Sequence, residues 1–178
     1  MPIGNGDADR TAPYNVQMQP LAILQLLILL LLANGTPVIA KRILGHRFSY
    51  PLDGGVRFFD GQPLLGPSKT VRGVLSSILV TSACAPFIGL EWEVGAVVAS
   101  TAMAGDLSSS FLKRRLCIPP GSRATGLDQV PESLFPLLSC RLMLALTVVD
   151  IAVGVLLFLI AELVLSRLLY KLGVRNHL

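Results

Sequence analysis

Residues 94–115 read VGAVVASTAMAGDLSSSFLKRR. The apolar part, Val94–Leu112, is close to the roughly 20 residues a helix needs to cross a bilayer. Gly95, Ala96, Ala99, Ser100, Ala102, Ala104 and Gly105 would let a neighbouring backbone approach closely, which predicts a central helix rather than a passive anchor. Asp106 comes near its end, and a carboxylate at membrane depth is costly enough to mark a site. If the helix continues, Asp106, Ser110 and Lys113 share one face, with Arg114 on the flank. Basic residues at a helix end can simply snorkel to phospholipid headgroups, but snorkelling does not explain the acid.

The rest of the chain agrees with a membrane setting. Of 178 residues 52% are hydrophobic and 15% charged, against about 25% charged in a soluble domain. Mean hydropathy is +0.65. Disorder, collagen and coiled coil are excluded by apolar content and the lack of a glycine or heptad period. The expectation is an all-α membrane protein with about five transmembrane helices, at 21–40, 74–90, 94–112, 130–148 and 151–169. A flexible lead, 1–20, would precede a single membrane domain, 21–172, and a tail, 173–178, would follow it. A signal peptide is disfavoured because Asp7 and Asp9 outweigh Arg10 in the lead. Cys84, Cys117 and Cys140 have no metal or disulfide spacing, and His46 and His177 lie far apart.

Basic residues outnumber acids 15 to 11. They form no stripe and no nucleic-acid-binding motif, so nucleic acid is not an expected partner. Lys41, Arg42, Arg47, Arg57, Lys69 and Arg72 fall in 41–73; Lys113, Arg114, Arg115 and Arg123 fall in 113–128; Arg167, Lys171 and Arg175 end the chain. The opposite turns carry Glu91, Glu93 and Asp150 and no base. The positive-inside rule then predicts an N-out, C-in multi-pass protein of the cytoplasmic (cell) membrane, with both polar loops on the side of ATP, CTP and magnesium. Arg141 and Glu162, in the last two spans, read as a salt bridge between antiparallel helices.

The loop from Pro51 to Gly73 contains Asp53, Asp60-Gly61, Gly66 and Lys69-Thr70-Val71-Arg72-Gly73. Its spacing fails the Walker pattern, yet glycines, a lysine and a helix start together suit a phosphate. Asp128 and Glu132 stand where the chain re-enters the membrane, and could alternatively serve as helix-start acids. Carboxylates that hold divalent metal and cations that hold polyphosphate, all at headgroup level, suit phosphoryl or nucleotidyl transfer onto a lipid.

The run Gly105-Asp106-Leu107-Ser108-Ser109-Ser110-Phe111-Leu112-Lys113-Arg114-Arg115, continuing through Gly121 to Leu127-Asp128-Gln129, resembles the signature of membrane CTP:lipid-phosphate cytidylyltransferases, and most closely the CDP-archaeol synthase branch. Pro51, Asp53, Gly55, Asp60-Gly61, Gly66 and Lys69-Thr70 with Arg72-Gly73 resemble that branch's first polar loop, and Asn34 and Pro37 fit its first span. The resemblance implies transfer of CMP from CTP to a lipid phosphate, either phosphatidate or an ether-linked isoprenoid glycerol phosphate. It implies Asp106, Asp128 and Lys113 as catalytic residues. Asn34, Asp53, Asp60, Lys69, Thr70, Arg72, Ser110 and Arg114 would bind substrate, and Mg2+ would sit on Asp106, Asp128 and Glu132. The family's usual Asp-Gln-x-Asp pattern is broken here by Pro131, followed by Glu132. Other readings stay open: a small membrane transporter, or a catalytically degenerate scaffold. The third helix's small residues also permit a homodimer within the lipid bilayer.

Overall fold

In the computed structural model, residues 18–119, 122, 124 and 126–171 are described, the last four by backbone only. The expected lead up to residue 17 and tail 173–178, with Gly121, Arg123 and Arg175, fall outside them. Five α-helices follow in order: α1 Pro20–Leu44, α2 Val71–Cys84, α3 Trp92–Arg115, α4 Gln129–Ser139 and α5 Val148–Lys171. A 3₁₀ turn, Ala85–Ile88, extends α2. The described residues form no strand.

Local chemistry sets the boundaries. Pro20 opens α1, where its missing N–H is no loss, and Gly45, at φ +53°, follows its end. The Thr70 side chain caps α2 by accepting from Gly73 N–H at 3.2 Å. Thr147 and Asp150 form a reciprocal box at the start of α5. Asp150 N–H donates to the Thr147 hydroxyl at 3.1 Å, and Thr147 N–H donates back to the carboxylate at 2.9 Å.

The helices alternate in direction. At one end Gln19 N–H donates to Asp150 at 3.1 Å, and Gln25 donates to the Ile88 carbonyl at 2.7 Å. At the other end lie both polar loops. The core is Leu26, Leu29, Leu30 and Ala33 of α1 against Val98, Ala99 and Ala102 of α3, Leu137 of α4 and Phe158 of α5. Outward positions such as Leu24, Ile28, Leu79, Leu156, Ile160 and Val164 are apolar and exposed, which suits a lipid surround.

Helix α3 is central, as its small residues predict. A Cβ at Gly95 would lie 2.7 Å from the Thr81 carbonyl oxygen, and one at Gly105 would lie 2.3 Å from that of Pro131. Gly95 and Gly105 thus pack against α2 and α4 of the same chain, while Ser100 and Ala104 of the same helix stay exposed.

Among the described residues three helices are long and apolar enough to span a membrane: α1, α2 with its 3₁₀ extension, and α5; α3, which holds the expected span at 94–112, is not one of them. The expected span at 130–148 is corrected. Helix α4 stops at Ser139, a length of about 16 Å, and the chain turns through 140–147, with Ala145 at φ +48°. The turn precedes Val149–Asp150 because the Thr147–Asp150 box fixes where α5 begins. Arg141 lies exposed in that turn beside the start of α5, whereas Glu162 stands far along α5 toward the end with the polar loops, which sets the expected Arg141–Glu162 pair apart.

Candidate functional site

A cavity of about 400 Å³ opens where α1, α3, α4 and α5 meet the end of the first polar loop. Ten residues singled out from the sequence line it: Asn34, Lys69, Thr70, Arg72, Asp106, Ser110, Lys113, Arg114, Asp128 and Glu132.

Two ion pairs organise it. Lys69 Nζ contacts both Asp106 oxygens at 2.6 Å, joining the loop before α2 to the middle of α3. Lys113 Nζ lies 2.7 Å from Asp128 Oδ1, joining the end of α3 to the start of α4. Asp128 also accepts from Ala124 N–H at 3.2 Å. Glu132, 6% exposed, has its carboxyl beside that of Asp106 and within electrostatic reach of Glu162. The close crossing at Gly105 produces this contact: with no side chain there, α4 lies against α3 one residue before Asp106. Glu132 thus places a carboxylate in the site just after the proline that breaks the family pattern.

The cations differ in how far they are engaged. Arg72 donates to the carbonyls of Gly45 and Arg47 and ties the end of α1 to the start of α2. Arg114 donates from Nη2 to the Pro119 carbonyl at 3.1 Å. Its Nε and Nη1 are buried with no hydrogen-bond partner among the described residues, although its side chain lines the cavity. Lys41 completes the basic wall.

Asp53 and Asp60 do not line the cavity. Asp53 accepts backbone N–H groups from Gly55 at 3.0 Å, Leu65 at 2.9 Å and Gly66 at 3.0 Å. Burial alone would raise its pKa, but these bonds outweigh it and hold the carboxyl below its ordinary value. The loop N–H groups expected to be free for a phosphate are thus engaged within the loop. Asp60 accepts from Gln62 N–H at 3.0 Å and pairs with Arg115 at 2.8 Å. Thr70 lines the cavity, but its hydroxyl caps α2.

Glu162 is the principal addition. It was read as half of a salt bridge, yet it faces the cavity from α5. A lone acid in an apolar helix is the signal that could have placed it there.

No cluster of three or more His, Cys, Asp or Glu suited to a metal occurs among the described residues. The adjacent pair Asp106 and Glu132 is a hard-oxygen donor set. Such a pair fits magnesium, which commonly uses one or two carboxylates and completes its shell with substrate phosphates and water. Asp106 is paired with Lys69 and Asp128 with Lys113, so a metal at either carboxylate would have to displace an ammonium.

A family model described as CDP-archaeol synthase matches residues 87–178. A CDP-archaeol synthase of Pyrobaculum calidifontis is 32% identical over 163 residues, covering 87% of this chain and 97% of that protein. One of Pyrobaculum aerophilum is 31% identical over 150 residues, covering 82% and 90%. A solved structure, described as an intramembrane enzyme for archaeal membrane lipids biosynthesis, is 29% identical with a TM-score of 0.65, covering 78% of this chain and 91% of that one. With helices throughout the described residues, a polar cavity and relatives aligned over most of its length, the chain belongs to the CDP-archaeol synthase family of membrane enzymes.

Proposed function

We propose that this chain transfers CMP from CTP to a membrane lipid phosphate, giving a CDP-lipid and pyrophosphate. The acceptor is an ether-linked isoprenoid glycerol phosphate, as the names of its relatives suggest. The basic end of the bundle faces the cytoplasm of a cell membrane, where CTP is available. The observation that carries the reading is Arg114: a buried guanidinium at the cavity whose Nε and Nη1 have no hydrogen-bond partner among the described residues. Buried charges are retained where a partner of opposite sign completes them, and a triphosphate is such a partner.

An oxygen of the lipid phosphate attacks the α-phosphorus of CTP in line, and pyrophosphate leaves. That nucleophile is already an anion, so no strong general base is needed and catalysis rests on positioning and charge. Arg114 and Lys113 hold triphosphate oxygens from the α3 side, and Lys69 and Arg72 hold phosphate from the loop side. Ser110, one turn beyond Asp106, offers a hydroxyl between them. Asn34 contacts the acceptor from α1. Magnesium, when bound to Asp106 and Glu132, would neutralise charge on the triphosphate and the departing pyrophosphate.

The test is incubation of the purified protein with labelled CTP, magnesium and a panel of lipid phosphates. The expected result is a CDP-lipid from the ether-linked acceptor. Asp106→Asn should remain folded in detergent and lose turnover; CTP-dependent activity retained in that variant would overturn the assignment.

A further inference from the structure

Arg115 follows the cationic pair of the site but lies outside the cavity wall. Its guanidinium is gripped on four sides. The carbon at its centre is 4.6 Å from the centroid of the Phe58 ring and 5.0 Å from that of Phe111. The two rings stand edge to face, 5.5 Å apart. Nη1 donates to Asp60 at 2.8 Å and Nη2 donates to the Pro63 carbonyl at 2.8 Å. Phe111 belongs to α3, whereas Phe58, Asp60 and Pro63 belong to the first polar loop.

That loop transmits position. Phe58 N–H donates to Gln62 and Leu64 N–H donates to Val56, both at 2.9 Å, so its tip is a closed hairpin. Asp53 fixes Leu65 and Gly66, and Leu52 N–H donates to the Lys69 carbonyl at 2.8 Å. From the tip to Lys69 the chain is tied at each stage.

We propose that Arg115 is a positioning residue for the transfer: its guanidinium clasps the loop to the end of α3, so that Lys69 meets Asp106 before substrate arrives. This rests on the activity proposed above. A planar fork that stacks and donates in two directions is what arginine supplies and lysine does not. The Asp60 pair is partly exposed, with Asp60 at 40%, and such pairs contribute little. The stack and the Pro63 bond carry the clasp.

The experiment compares the full chain with Arg115→Gln, Arg115→Lys and Phe58→Ala in detergent. Amide exchange is read at Phe58 and Leu64, and kinetics with CTP and an ether-linked lipid phosphate. Arg115→Gln and Phe58→Ala should each speed exchange about tenfold and raise the KM for CTP about tenfold, with kcat within about threefold. Arg115→Lys should not restore either quantity. Phe58→Ala removes no charge, so its agreement with Arg115→Gln separates a clasp from direct attraction of CTP. An effect of Arg115→Gln on KM without one from Phe58→Ala, or unchanged exchange in both, overturns the proposal. A wild-type chain that turns over no CTP would count against the activity instead, and exchange would then decide the clasp.

Discussion

Lys69 of the first polar loop closes on Asp106 of α3 with its ammonium 2.6 Å from both carboxylate oxygens. That ammonium also acts electrostatically on Glu132, which lies beside Asp106. Lys69→Met would leave two adjoining acids without it. Manganese, as a probe, should then bind in the absence of nucleotide about tenfold more tightly or better. The KM for CTP should rise, since the phosphate partner is gone. Calorimetry with metal alone and with CTP alone checks both directions.

Lys113 and Asp128 form the more enclosed pair, with side chains 8% and 13% exposed. Removing one partner leaves an uncompensated charge, so Lys113→Met should cost about 3 kcal/mol of stability. The double variant Lys113→Met with Asp128→Leu should recover part of that loss. Thermal unfolding in detergent measures the difference.

Gly105→Ala places a methyl 2.3 Å from the Pro131 carbonyl oxygen. Backbone cannot rotate aside as a side chain can, so the helices must part, at about 2 kcal/mol or more. Turnover should fall with it, because Glu132 moves away from Asp106. Gly154→Ala is the control: the atoms its methyl would meet first are side-chain carbons of Leu137, which can change rotamer. Its melting temperature should drop far less.

Asp53 gives the first polar loop a pH dependence. Its folded pKa lies below the ordinary value, so its contribution is fully present above about pH 3.9. It is lost as pH falls through the folded pKa. Protection of the Leu65 and Gly66 amides should therefore persist from neutral pH to about 4 and fade below it. In Asp53→Asn the protection should be lower at neutral pH and lack that acid-side transition.

The helical class and the central place of α3 were legible because composition and small-residue spacing act locally. The same holds for Asp106, Lys113 and Arg114, which one helix face brings together whatever the loops do. Asp53 and Asp60 misled for a physical reason: an acid beside glycines can bind an outside cation or accept the loop's own N–H groups, and composition does not distinguish the two. The sequence extends α4 too far because apolar residues continue past Ser139 into the turn, while the threonine and aspartate that open α5 look modest in print. Glu162 was seen but assigned to the nearest base along the helices, when antiparallel packing turns it toward Glu132.

The alternating direction of the five helices has a practical corollary. Residue 18 and residue 171 emerge at opposite poles of the bundle, and the latter shares its pole with the polar cavity. A fluorescent reporter joined after residue 171 would start beside that chamber and could register its occupancy by proximity. One placed ahead of residue 18 would start a full helix length away and serve as the silent reference.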